Sequence, residues 1–350
     1  FNRVRSLALR VDAPLGREAV AQTEGQRLSM SDGPISLTQT HDDRFFLTQN
    51  DVVKSGKRSK GAVSVSGEKI TLSLACRDFW ENYPKGFRVD PKGLTLDICP
   101  PLVSKDYPKG GDLEDRLYYY LLDGRYTFKQ GVSRTHEFWM DYGKVALTTF
   151  VNAVNRPPLH RFPLSVLNNS KAWTRLPSKD PSPFEPYESW VDAAQSAYAK
   201  DRVESRAYGM LNFGDWFGER TYNWGNVEYD TPWCFLQEYL RGGHEDFFNW
   251  ADQAARHLVD VDTCHAGKPD LLNNQYLHSV GHVGNYYPDG NRETAIFTGR
   301  TSVSHTWVEG LFLHHLLTGD PRSQEAASKT CDNLVGEIVN NYDFTNCRNS

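Results

Sequence analysis

The chain has 350 residues and a formal net charge of −5, and 13% of its residues are aromatic. Residues 1–150 contain 22 Lys and Arg against 19 Asp and Glu, whereas residues 151–350 contain 17 against 25. Neither part has a basic stripe, and no apolar run reaches membrane-spanning length. We therefore expect no nucleic-acid partner and no membrane association. The length is enough for two domains with cores of their own.

The six cysteines show no CxxC or Cys/His spacing that would indicate a zinc site. We expect most of them to pack as small apolar side chains rather than to form a disulfide framework. The chain begins at Phe1, without Met or a signal peptide, and stops after a predicted helix. This pattern favours a piece of a longer protein.

Alternating apolar and polar residues predict an antiparallel β-sandwich domain over residues 1–150. KGAVSVSGEKITLSLACRDFW alternates around a turn at Ser66-Gly67, and GLTLDICPP, RLYYYLLDGRYTF and SRTHEFWMDYG continue the pattern. Several short strands separated by Gly, Pro and Asp, with almost no helical period, are typical of this architecture.

A Pro-rich linker is predicted over 151–184, and an α/α toroid over 185–350. The helical segments are YESWVDAAQSAYAKDRV, TPWCFLQEYLR, EDFFNWADQAARHLVDVD, TSVSHTWVEGLFLHHLLTGD and PRSQEAASKTCDNLVGEIVNN. Thr231 is the expected N-cap of its helix, with Pro232 at the first helical position. Short Gly turns between apolar-striped helices indicate antiparallel hairpins, too few here to close a toroid. The fold class is thus α+β multidomain, with an incomplete toroid.

The loop GDWFGERTYNWGNVEYDTPW (214–233) has no regular period, and it combines aromatic rings with amides, carboxylates and an arginine. Trp and Tyr stack on the apolar face of a sugar ring, and the polar groups can bind its hydroxyl and carboxylate groups. The segment therefore indicates a sugar-binding cleft. The alternative is a structural loop held by Tyr and Trp hydrogen bonds.

A second loop contains His278 and His282 in YLHSVGHVGNYY. The segment lacks the Glu of HExxH, and its glycines weaken a helix, so we expect no metal and no cofactor. A neutral His suits proton abstraction near pH 7, and this favours a general base or acid. The competing interpretation is that each His only holds the loop.

His305 and Glu309 are spaced to pair along one helix, and His305 is a candidate substrate-binding residue. Arg220 and Arg300 are the candidates to hold a uronate carboxylate, because a guanidinium group binds a carboxylate through two parallel hydrogen bonds. The structural alternatives are an intrahelical pair for His305 and loop salt bridges for the arginines.

These segments together resemble a known family. FWENYPKGFRVD, GLTLDICPP and GVSRTHEFWMDYG are followed by GDWFGERTYNWGNVEYD, HSVGHVGNYY and SHTWVEGLFLHHLLTGDPRSQEAA. The set is similar to the rhamnogalacturonan exolyases and broad-specificity ulvan lyases of polysaccharide lyase families 26 and 40. The resemblance extends from about Leu74 to Ser350, and its W-x-N-x-E-Y-D and H-T-W-x-E-G-L motifs are its more specific parts.

The resemblance implies cleavage of a uronate-containing polysaccharide by β-elimination. A base removes the C5 proton, a neutralising group stabilises the carboxylate as an enolate-like intermediate, and an acid protonates the departing O4. The residue types needed are present: Tyr222, Tyr229, His278 and His282 for proton transfer, Asn226, Arg220 and Arg300 for the carboxylate, Trp216 and Trp224 for stacking, and Glu228 and Asp230 for hydroxyls.

Two other functions fit the same residues. A toroid glycoside hydrolase would pair Asp215 or Glu228 with Asp230 or Glu309 as acid and base. A non-catalytic carbohydrate-binding protein would need the aromatic residues alone. We expect an acidic polysaccharide as the partner and a secreted or periplasmic location, with lyase chemistry as the first hypothesis.

Overall fold

A computed structural model describes residues 2–102, 121–122, 124–143, 145–171, 175–218, 224–267, 272–277, 301 and 303–341. The chain forms two compact units. The first consists of Phe1–Phe128, Thr135–Pro158 and Tyr208–Leu211, and the second of Lys129–Arg134, Leu159–Ala207 and Asn212–Ser350.

The first unit is built mainly from antiparallel strands. They are β1 (Asn2–Val4), β2 (Leu7–Asp12), β3 (Val20–Thr23), β4 (Gln26–Ser29), β5 (Ile35–His41), β6 (Arg44–Gln49), β7 (Asp51–Gly56), β8 (Ala62–Ser66), β9 (Thr71–Cys76), β10 (Lys85–Asp90), β11 (Gly93–Cys99), β12 (Leu121–Leu122), β13 (Arg125–Phe128) and β14 (Phe138–Asp141). One sheet has the order β2-β11-β10-β5-β6-β7, a second β14-β9-β8-β3-β4, and a small third β1-β13-β12.

The two larger sheets share one hydrophobic core. Leu37, Leu47 and Leu96 from the first sheet join Val65 and Leu74 from the second in a single buried cluster. Alternate residues of the central strands enter this cluster, as the period of two requires. The prediction of antiparallel sheets is therefore confirmed, and the arrangement is consistent with the predicted β-sandwich.

The hairpin of β8 and β9 has the predicted turn. Ser66 pairs with Thr71, and the Gly67 amide donates to the Ile70 carbonyl at 2.9 Å. A Cβ at position 67 would overlap the Leu15 carbonyl, so only glycine fits this close approach. The turn signal in the sequence and the close approach of Leu15 thus both favour glycine at position 67.

Helix α1 (Leu147–Asn155) was not predicted, and neither was α2 (Leu164–Ser170). Helix α1 crosses the predicted boundary between the sandwich and the linker at residue 150, and α2 lies inside the predicted linker. Val151 and Val154 of α1 pack with Ala62 and Ala75 of the second sheet. The apolar residues of LTTFVNAV recur at helical spacing, and the prolines that follow α1 mark its end.

The second unit contains helical hairpins. Its longer helices are α3 (Glu185–Glu204), α4 (Thr231–Gly242), α5 (Glu245–His257), α6 (Glu309–Thr318) and α7 (Pro321–Asn341), and a π-helical turn covers Leu258–Asp262. Helix α4 contacts α5 and α6 contacts α7. The joining residues Gly243 and Gly319 adopt φ values of 70° and 75°, the left-handed conformation that glycine favours. The predicted Gly-turn hairpins are present. Within the described residues, no helix combines the length and apolar character needed to cross a bilayer.

Two helix starts differ from prediction. The N-cap of α4 is Asp230 rather than Thr231, because the Asp230 carboxylate accepts the Trp233 amide at 3.4 Å. The helix predicted from Ser304 is a 3₁₀ turn over Val303–His305, and α6 begins only at Glu309. The backbone of Trp307 bonds the side chain of Gln275 through both its N–H and its carbonyl, each at 2.7 Å. These two bonds hold Trp307 in the irregular segment between the 3₁₀ turn and α6.

Candidate functional site

Three chain segments of the second unit meet, and we call them the loop cluster: 224–230, 275–277 and 303–310. The Asn226 amide nitrogen donates to the carbonyls of Tyr276 at 3.2 Å and Leu277 at 2.9 Å. The Gln275 side chain holds Trp307 as described above. The cluster therefore joins the predicted sugar-binding loop to the segment that leads into α6.

The backbone of the turn 224–230 adopts an uncommon conformation. The φ values of Asn226, Val227, Tyr229 and Asp230 are 49°, 54°, 62° and 51°. This left-handed region is rare for residues with a side chain, and rarest for a β-branched residue such as Val227. Several such residues in one turn cost conformational energy, so the surrounding contacts must hold them in place.

Asp215 and Trp216 hold this turn. The two Asp215 carboxylate oxygens accept the backbone amides of Asn226 and Val227, each at 2.9 Å. The Trp216 indole lies so close to Gly225 that any Cβ there would overlap the ring. The Gly225 amide also donates to the Trp216 carbonyl at 2.9 Å. The residues at the start of the predicted loop thus shape its end.

The turn exposes one aromatic side chain between two buried carboxylates. Tyr229 is 65% exposed, whereas Glu228 and Asp230 are buried. The Tyr229 ring lies 6.1 Å from the Trp307 ring, centroid to centroid. An accessible phenol beside an indole offers both a hydrogen-bonding hydroxyl and a flat surface for a sugar. The expected role of Tyr229 in proton transfer stays a prediction.

His305 pairs with Glu228. The Nδ1 of His305 contacts the Oε1 of Glu228, whose side chain is 5% exposed. The expected intrahelical pairing of His305 with Glu309 is wrong, since no continuous helix joins them. A buried carboxylate fixes the orientation of the imidazole that it contacts. Glu228 was expected to bind sugar hydroxyls, but its burial and its contact assign it to holding His305.

Asp230 links the beginnings of two helices. Besides capping α4, its carboxylate accepts the Gly310 amide of α6, at 3.0 Å and 3.2 Å to its two oxygens. Burial raises the pKa of Asp230 to about 7, the amides of Gly310 and Trp233 lower it, and the negative charge of Glu309 raises it further. Its predicted role at sugar hydroxyls gives way to a structural one at this junction.

The raised pKa of Asp230 makes stability depend on pH. A carboxyl whose pKa is higher in the folded than in the unfolded state stabilises the fold fully below its unfolded pKa of 3.8, and that stabilisation is lost as pH rises through about 7. Asp230→Asn removes this titration, so between pH 5 and 8 its melting temperature should fall less than that of the wild type, by roughly 3–6 °C. Thermal unfolding followed by circular dichroism measures this. Asp192→Asn, at an exposed carboxylate paired with Lys179, is the control that should keep the wild-type slope.

The rings of Trp216 and Trp224, the two predicted stacking residues, pack against other residues of the chain. Trp224 is 4% exposed, and its ring meets Phe217 edge to face at 5.2 Å. Trp216 covers Gly225. Trp224 therefore does not present an exposed face to a sugar, in contrast to its predicted role. Within the loop cluster, Tyr229 and Trp307 are the rings placed for such a contact.

Five predicted site residues lie outside the described residues: Tyr222, His278, His282, Arg220 and Arg300. Their roles stay predictions. Their described neighbours in sequence are close in space, because Phe217 bridges to Trp224, and Asn226 binds the carbonyl of Leu277, which precedes His278. Described residues of both predicted loops thus lie in or next to the loop cluster.

Sequence reasoning missed Gln275 and Trp307. It also missed a buried group in which His257 Nε2 lies 3.3 Å from Asp262 Oδ1 and 4.0 Å from Asp215 Oδ2. Trp307 belongs to the H-T-W-x-E-G-L motif, but no local pattern in the sequence indicates its contact with Gln275. The two residues are 32 positions apart, and both lie in irregular segments. In the described ranges, no group of three or more His, Cys, Asp or Glu is placed to bind a metal ion.

Comparison with known proteins finds a similar domain for part of the helical unit. Residues 166–296 match the family model described as the PcRGLX-like protein C-terminal alpha/alpha toroid domain. The chain is also 26% identical over 308 residues to the uncharacterized protein YetA of Bacillus subtilis (strain 168), a match that covers 79% of this chain and 34% of that protein. The chain thus spans about a third of this relative's length. The helical part of the chain is therefore similar to a rhamnogalacturonan lyase-like toroid domain.

Proposed function

We propose that this chain forms part of a polysaccharide lyase that cleaves a uronate-containing acidic polysaccharide, of the ulvan or rhamnogalacturonan type, by β-elimination. The observation that carries the proposal is the exposed Tyr229 beside Trp307, next to the Glu228–His305 pair. Tyr229 and Glu228 belong to the stretch 166–296 that is similar to a toroid domain. The resemblance to polysaccharide lyase families 26 and 40 supports it. A polymeric substrate of this kind fits a secreted or periplasmic enzyme.

Tyr229 is the proposed acid. Elimination breaks the C4–O4 bond of the uronate and leaves an alkoxide on the departing sugar, and a positioned phenol can supply its proton. Tyr229 is accessible, its backbone is fixed, and Trp307 offers a sugar ring a place to stack beside it. The base is proposed to be His278 or His282, since Leu277 ties the chain directly before them to the turn of Tyr229.

His305 and the arginines are proposed to bind the substrate. Glu228 orients the His305 ring, which is partly exposed and can donate to a hydroxyl or a carboxylate. Arg220 and Arg300 are proposed to neutralise the uronate carboxylate, because C5 is too weakly acidic beside a free negative charge. Asn226 was also expected in this role. Its amide nitrogen instead donates to two backbone carbonyls, so we assign it to holding the loop cluster.

A glycoside hydrolase is the alternative that one observation favours. Asp230 and Glu309 form a carboxyl pair, and the pKa of Asp230 is raised to about 7, as for an acid catalyst. However, the Asp230 carboxylate is buried and accepts amides from two helices. These hydrogen bonds give the Asp230 carboxylate a structural role at the start of both helices, and no catalytic role is needed to account for it. The lyase is therefore the better supported function.

The product of cleavage distinguishes these functions. We expect the full-length protein that contains this chain to release an ultraviolet-absorbing unsaturated uronate from ulvan or rhamnogalacturonan, and nothing from a neutral polymer such as amylose. Reaction in ¹⁸O-labelled water separates the chemistries, because a lyase leaves both new ends unlabelled and a hydrolase labels one. Labelled, non-absorbing products would establish the hydrolase. An intact polymer that is nevertheless retained on the protein would indicate a binding function alone.

A further inference from the structure

We propose that Asp215 is the positioning residue of the candidate site, and that its carboxylate sets the left-handed turn 224–230 and thereby presents Tyr229. The part that concerns Tyr229 as an acid rests on the function proposed above. The part that concerns the turn rests on geometry alone. Asp215 touches neither substrate nor reacting atoms in this scheme.

The hydrogen bonds explain why a carboxylate is needed at this position. Asn226 and Val227 are buried, and their amides point to different oxygens of Asp215, each at 2.9 Å. Buried backbone amides without acceptors are costly, and bonds to a charged acceptor are stronger than bonds to a neutral one. One ionised side chain therefore offsets the cost of two consecutive left-handed residues. Tyr229 follows two positions later in the same turn.

The surroundings place the ionisation of Asp215 near neutrality. Asp215 is fully buried, and burial raises its pKa to about 7, while His257 lowers it and Asp262 raises it. His257 lies on α5, and its Nδ1 donates to the Phe213 carbonyl at 3.3 Å. Burial lowers the pKa of His257 to about 4, so this imidazole is neutral at pH 7. The charge of Arg134 acts on His257 and Asp262.

Protonation of Asp215 weakens the turn. Below pH 7 one oxygen carries a proton and becomes a poorer acceptor for a backbone amide. The order of the turn should therefore decrease as pH falls through about 7, and the presentation of Tyr229 should decrease with it. Global stability follows the opposite sign for this group, because a pKa raised from 3.8 in the folded state stabilises at low pH. A local measurement is therefore required.

Hydrogen exchange at single amides tests the turn directly, with no need for substrate. In Asp215→Asn at pH 8 the amides of Asn226 and Val227 should exchange about tenfold faster than in the wild type, after correction for intrinsic rates. The matched control is Asp252→Asn. Asp252 is a buried carboxylate that bonds His314 and Arg256, so this variant removes a buried charge elsewhere in the unit and should keep the wild-type protection.

Loss of hydrogen-exchange protection in α4 would show that the Asp215→Asn protein unfolds. A second measurement, on the wild type, tests the proposal in that case. In the wild type alone, protection of the same two amides should fall between pH 8 and pH 6. Protection that is independent of pH there, or equal in a folded Asp215→Asn protein, would overturn the proposal.

Activity separates positioning from the proposed function. If the lyase function holds, turnover of the wild type should have an acidic limb near pH 7, and Asp215→Asn should lower turnover about tenfold and flatten that limb, with KM little changed. A residue with only a structural role would lower the amount of folded enzyme without moving the pH profile. If no polymer is cleaved by the wild type but the two amides respond as expected, the proposed function fails while the positioning role stands.

Discussion

Replacing Tyr229 with Phe should lower turnover on the uronate polymer about a hundredfold and leave KM within about twofold. Only the hydroxyl is removed, so the ring remains beside Trp307 and the sugar can still stack. The loss would then come from the step in which O4 leaves without a proton donor. Because the side chain is exposed, the hydroxyl makes little contribution to folding, and the melting temperature should not change. Initial rates of ultraviolet absorbance at several substrate concentrations give both constants.

The matched control is Tyr142→Phe, at another exposed tyrosine, which belongs to the first unit. It removes the same atom and should leave both constants unchanged. A second check uses a substrate whose leaving group needs no proton, such as a uronate with a nitrophenyl ether at O4. Tyr229→Phe should cleave it at nearly the wild-type rate. Near-normal turnover of Tyr229→Phe on the polymer would remove Tyr229 as the acid and leave Tyr222 as the next candidate.

The fold could be anticipated where local pattern and tertiary packing agree. The alternation around Ser66-Gly67 gave β8 and β9, and the Gly residues after α4 and α6 marked two hairpins. Helix α1 was missed because its short apolar repeat directly follows strand-like sequence. Turn and helix signals are local, so a single sequence carries them.

The arrangement of the candidate site depends on contacts between distant residues. Nothing in the sequence near Val227 indicates φ of 54°, because that conformation exists through Asp215, twelve positions earlier. The segment before α6 is likewise held by Gln275, 32 positions before Trp307. Residue types could be predicted from the chemistry of sugar binding, and Tyr229 and His305 are among the residues so predicted. Which carboxylates hold the structure could not, because burial and partners decide that.

Helices α4 and α6 approach each other closely at Gly310. Gly310 lies in the first turn of α6, and a Cβ there would sit 2.6 Å from the Trp233 backbone nitrogen and 2.9 Å from the Pro232 Cβ, and would overlap the Asp230 carboxylate. Glycine therefore lets one carboxylate accept amides from both helices. The approach fixes the segment from His305 to Glu309 against the turn that carries Tyr229.

Gly310→Ala should destabilise the helical unit by about 2–4 kcal/mol, because overpacking adds to the loss of the hydrogen bonds to Asp230. The matched control is Gly336→Ala in α7, where, among the described residues outside its own helical turn, no atom lies within 4 Å of the added methyl group. There the better helix propensity of Ala should stabilise the protein by about 0.5–1 kcal/mol. Denaturant unfolding followed by far-ultraviolet circular dichroism measures both changes, and they should have opposite signs. Equal or same-sign changes would show that α6 can move away from Asp230, and that the junction does not fix the position of the loop cluster.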